Sequence, residues 1–71
     1  MKKVLVAIYE EKSIVAAFAR LGEEEGQRLF DSAIDEEVKK AVGDAAIEVE
    51  TELPCDEHPG MIYIYAHVEE E

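Results

Sequence analysis

From Ala45 to Leu53, apolar and acidic positions take turns. Ile47, Val49, Thr51 and Leu53 alternate with Glu48, Glu50 and Glu52. Side chains on a strand point to opposite faces with a period of two. The segment therefore predicts a β-strand with one apolar face and one face of three carboxylates, ended by Pro54. Met61–Val68 predicts a second strand. Ile62, Ile64, Ala66 and Val68 form the better core set on one face, and Met61, Tyr63, Tyr65 and His67 occupy the other. Between the two, Cys55–Gly60 reads as a loop, with Pro59-Gly60 as its turn signal.

Upstream the period changes. Val4–Tyr9 is a continuous apolar run rich in β-branched residues, the pattern of a strand covered on both faces or lying at the sheet centre. Ile14, Val15, Phe18 and Leu21 then recur at helical spacing, with Ser13 as N-cap, Arg20 in the last turn and Gly22 as the stop. This predicts a helix over Ser13–Leu21. Glu23–Gly26 reads as a charged break, and Gln27–Phe30 as either a short strand or the lead-in to the next helix. Asp31 or Ser32 caps a second helix, buried along Ile34, Val38, Ala41 and Val42 and stopped by Gly43. Asp35, Glu36 and Glu37 near its start and Lys39 and Lys40 near its end match the helix dipole.

The order of elements predicts an α/β (α+β) fold, a small two-layer sandwich. Two helices pack on one face of a three- to four-stranded sheet that ends in a C-terminal antiparallel hairpin. Residues 1–71 are expected to form a single compact acidic domain, with 69–71 as a frayed tail. Glu48, Glu50 and Glu52 fall on the open sheet face, together with Tyr63 and Tyr65.

Composition adds two constraints. Hydrophobic residues make up 48% of the chain, enough for a core and against disorder. Seventy-one residues leave little room for a core plus a deep substrate cleft, so a non-enzymatic protein without cofactor or catalytic residues is expected. The single cysteine, Cys55, permits no internal disulfide and points to an intracellular, cytoplasmic chain. No apolar run approaches the roughly 20 residues that span a bilayer. The run after Lys2-Lys3 is too short for a signal peptide and ends in Glu10-Glu11.

Charge changes the picture most. The net charge is −11, and all seven bases (Lys2, Lys3, Lys12, Arg20, Arg28, Lys39, Lys40) precede residue 41. Residues 41–71 hold nine acids and no Lys or Arg. Such a surface disfavours direct contact with nucleic acid or an anionic membrane, since phosphate binding needs cations. It favours a basic protein surface. Self-repulsion at this charge predicts that neutral salt raises the melting temperature; a flat or falling response in a thermal scan would mean that the carboxylates are well dispersed.

The glutamate row repeats at roughly 6.6 Å, the rise of two strand residues. One DNA strand advances roughly 6.8 Å over two nucleotides. A rigid row of Glu48, Glu50 and Glu52 can thus imitate phosphates, and Tyr63 and Tyr65 beside it resemble the aromatic anchors of a protein interface. The expected function is a small acidic protein-binding module, in its sharper form a nucleic-acid-mimicking inhibitor that docks on a basic nucleic-acid-binding protein. Phage antagonists of restriction or CRISPR systems share this size and charge, an analogy of composition alone. A homo-oligomer or homodimer pairing through the open sheet face is the alternative. A metal-binding protein is the third: Cys55-x-x-His58 offers two zinc-ligand types, but only two of the usual ligands, and no metal ligand is assigned. His67 is a candidate pH switch.

Overall fold

The computed structural model describes residues 1–69. Of the tail expected at 69–71, Glu69 is exposed, and residues 70 and 71 lie outside the described part. The elements run β1 (Lys2–Glu10), α1 (Glu11–Leu21), α2 (Glu23–Val42), a short 3-10 turn (Gly43–Ala45), β2 (Ala46–Glu52) and β3 (Met61–Val68). Two helices pack against a three-stranded antiparallel sheet of order β1-β3-β2, the expected small α+β sandwich. The C-terminal hairpin, β2 with β3, is present. A fourth strand is not: Gln27–Phe30 is helical.

The second helix begins eight residues before its expected cap. Glu23, Glu24 and Glu25, read as a break, are its first turn. Three carboxylates next to the unsatisfied N–H groups of a helix start are stabilising, so a charge cluster after a glycine is also what a helix start looks like. Gly22 separates the helices at φ +88°, a conformation that a side chain resists, and its N–H donates to the Phe18 carbonyl at 2.8 Å. α1 also starts earlier than expected, directly on β1. Ser13 is therefore inside the helix rather than its cap, and Phe30 lies within α2.

β1 is an edge strand, not the centre; β3 takes that place. The register shifts between Leu5 and Ala7, so Val4 pairs with Ala66 and Ala7 with Ile64, whereas Leu5 pairs with Tyr65 and Ile8 with Tyr63. A bulge of this kind moves the alternation by one residue. It puts apolar side chains on both faces of β1, which explains the continuous run without a second covering layer.

The core is Ile34 and Val38 of α2 against Ile62, Ile64 and Ala66 of β3. Tyr9 of β1 meets Phe30 edge-on at 5.6 Å between ring centroids. The helices cover β1 and β3 and leave β2 largely bare. Val49 points to the helix side yet stays exposed, Leu53 lies past the end of β2 and is exposed, and Ile47 sits in a second bulge at 58% exposure. The apolar half of the alternating strand is thus not a buried face.

Candidate functional site

The bulges and the antiparallel register decide what faces away from the helices. Pairs across an antiparallel ladder share a face. Glu48 pairs with His67, Glu50 with Tyr65 and Glu52 with Tyr63; on the other side of β3, Lys3 pairs with His67, Leu5 with Tyr65 and Ile8 with Tyr63. The open face therefore carries the three glutamates on β2, tyrosines and histidine down the middle, and Lys3, Leu5 and Ile8 on β1. All five residues expected there (Glu48, Glu50, Glu52, Tyr63 and Tyr65) are on it. Leu5 and Ile8 are 45% and 49% exposed, so the face has an apolar strip beside its acidic one. The sequence reading missed that strip, because the bulge that creates it leaves no mark in the apolar run.

The glutamates are not equivalent. His67 Nε2–H donates to Glu50 Oε1 at 2.8 Å, and Lys3 Nζ stands 3.4 Å from Glu50 Oε2 and 3.8 Å from Glu52 Oε2. The same ammonium lies 4.2 Å from the centre of the Tyr65 ring. The hydrogen bond from His67, aided by Lys3 and opposed by partial burial, holds the Glu50 carboxyl below its usual range. Burial, then the Glu52 charge, pushes the Tyr65 hydroxyl up. Lys3 is distant from the row in sequence and adjacent to it across the sheet. Among the described residues Glu48 has no ion-pair partner.

At the end of β2 a second arrangement forms. His58 is 7% exposed. Its ring stacks on Tyr63 at 4.0 Å, its Nε2 lies 2.5 Å from Glu52 Oε1, and its Nδ1 lies 3.1 Å from the Met61 carbonyl oxygen. Its backbone N–H donates to the Cys55 carbonyl at 3.2 Å, closing the loop as a turn. Strand, ring stack and carbonyl all fix the imidazole. Cys55 is exposed. Both ring nitrogens of His58 face acceptor oxygens, an arrangement that suits the imidazolium. The Glu52 hydrogen bond raises its pKa above the ordinary value, against burial, with help from the Met61 carbonyl.

The sign of the pH dependence follows. A raised folded pKa at His58 stabilises the fold fully below the ordinary value near 6.5, and that stabilisation fades as pH rises through the folded pKa. Glu50, with a lowered pKa, acts at the other end: its contribution is present above about 4.5 and is lost as pH falls through its folded value. In chelator-treated buffer the melting temperature should peak between those two pH values and decline toward pH 8. His58→Gln should flatten the alkaline decline; an equal decline in wild type and variant would remove His58 as its cause.

No protein-family model, curated protein or solved structure matches the chain. No helix among the described residues is long and apolar enough to cross a membrane.

Proposed function

We propose that the chain is a small, non-enzymatic, acidic binding module whose open sheet face docks on a basic protein surface. What supports this is the composition of that face: Leu5, Ile8, Tyr63 and Tyr65 form an apolar and aromatic centre, and Glu48 and its neighbours flank it. Interfaces of this type take affinity from buried aromatic and apolar anchors, and speed and specificity from the charged rim. Association should be fast at low salt and slower as salt is added.

The sharper form, a nucleic-acid mimic acting as an inhibitor of the anti-restriction or anti-CRISPR kind, finds less support. Lys3, His67 and His58 engage two of the three carboxylates, so the row presents fewer free charges than its sequence promises. Competition separates the forms: DNA or RNA displaces a mimic from its target and leaves a docking module bound elsewhere. Glu48→Gln is the clean charge variant, because Glu50→Gln and Glu52→Gln also break contacts inside the protein. It should lower the association rate several-fold at low salt and little at high salt; an unchanged rate would take Glu48 out of the interface.

Self-association through the same face is the second reading, favoured by the exposure of Leu5 and Ile8. A molar mass of 8.0 kDa across a light-scattering concentration series supports the module, and a doubling supports the homodimer.

A further inference from the structure

At the edge of the open face, three different donor types converge where β2 ends. Glu52, Cys55 and His58 follow one another at intervals of three residues. Their ligand atoms (a carboxylate oxygen, the thiol sulfur and an imidazole nitrogen) all lie within 4.8 Å of one another. We propose that Glu52, Cys55 and His58 form a mononuclear zinc site that clamps the β2–β3 connection, with its fourth position open to water.

The chemistry of the donors selects the ion. A thiolate with an imidazole suits zinc and its neighbours rather than magnesium or calcium, which take oxygen donors. Three protein ligands and one open position are a recurrent zinc arrangement. Zinc bonds of about 2.0–2.3 Å at tetrahedral angles put ligand atoms about 3.4–3.7 Å apart. The present spread brackets that value. Glu52 and His58, now 2.5 Å apart, must open by about an ångström, and the exposed Cys55 thiol must swing in.

The groups that would orient the His58 ring toward a metal are already in place. Ligating histidines usually donate their other ring N–H to a carbonyl or carboxylate, which fixes the tautomer and aims the remaining nitrogen at the metal. His58 does this through Nδ1 to the Met61 carbonyl, and Tyr63 stacks on the ring. Nε2 then faces a carboxylate oxygen, two acceptors that need something electropositive between them. A proton serves, and so does a cation. Binding balances as an exchange: Zn2+ enters, the Nε2 proton and the Cys55 thiol proton leave to solvent, and the net charge of the site is unchanged. Glu52 belongs to the end of a strand rather than the loop, which is why the Cys55-x-x-His58 spacing by itself looked two ligands short.

The test is titration of the chelator-stripped, reduced protein with cobalt(II), followed by displacement with zinc. One equivalent should produce tetrahedral cobalt absorption with a thiolate charge-transfer band, bleached by one equivalent of zinc. Cys55→Ser should abolish the band and weaken zinc binding at least ten-fold; because Cys55 is exposed, this variant keeps the fold. His58→Gln should weaken binding similarly, and Glu48→Gln should leave it unchanged. Absence of saturation near one equivalent, or zinc affinity that survives Cys55→Ser, would overturn the site.

Discussion

Ile64→Ala lowers the melting temperature by about 10–30 °C. Ile64 is wholly buried on the central strand, facing the α2 residues Ile34 and Val38. Truncating a buried isoleucine costs about 2–5 kcal/mol, through lost transfer energy and the cavity left behind. A domain of this length loses about 4–8 °C per kcal/mol. The total stability of a chain this short is only about 4–10 kcal/mol, so the substitution removes a large share of it. Among the described residues only five make up the buried hydrophobic core. Leu53→Ala is the control: at 68% exposure it should move stability by less than about 0.5 kcal/mol. Thermal unfolding followed by circular dichroism compares the two. Equal, small shifts would mean that the core lies elsewhere.

Gly26→Ala carries the second large effect, and its sign is the informative part. Inside an exposed helix, alanine in place of glycine normally gains up to about 1 kcal/mol. Gly26 is buried where α2 crosses α1, and a Cβ there would stand 2.7 Å from the Phe18 ring and 3.1 Å from the Phe18 Cα. The ring lines an apolar cleft together with Ile14, Leu29 and Phe30, and the backbone atom cannot yield unless α1 moves. Overpacking costs about 1–3 kcal/mol, which offsets or exceeds the helix gain, so the net change is a loss of up to about 2 kcal/mol, or up to about 16 °C. A rise in melting temperature would show that the helices do not approach closely at this point. The adjoining apolar cleft of roughly 150 Å³ is bounded by Tyr9, Phe18 and Phe30.

The fold was legible wherever one periodicity ran uninterrupted. Strict alternation in Glu48–Glu52 and Met61–Val68 assigns the hairpin and its faces, and the helical recurrence of Ile14, Phe18, Ile34 and Val38 assigns both helices to one layer. Sequence failed where one signal had two causes. Glu23–Glu25 served equally as a break and as a helix start. The continuous run Val4–Tyr9 suggested a central strand, whereas a bulge had rotated apolar residues onto the open face of an edge strand. The face residues were found because alternation reports them directly. Their electrostatics were not, because Lys3 meets Glu50 across two strand pairings that no local spacing encodes. His58 was undervalued for the same reason: its orienting partners are a strand carbonyl, a strand carboxylate and a strand ring.

The central claim is that the apolar and acidic open face binds a basic protein. Its most direct test is affinity capture from cell extract at low and high salt, with captured proteins identified by mass. Wild type is compared with Leu5→Thr/Ile8→Thr, which removes the apolar strip, keeps strand-forming residues and touches no ion pair. A basic partner retained by wild type, eluted progressively by salt, and bound at least about thirty-fold more weakly by the double variant is the predicted result. Retention of the same partner at full strength by the double variant, or a partner that is acidic and indifferent to salt, would contradict it.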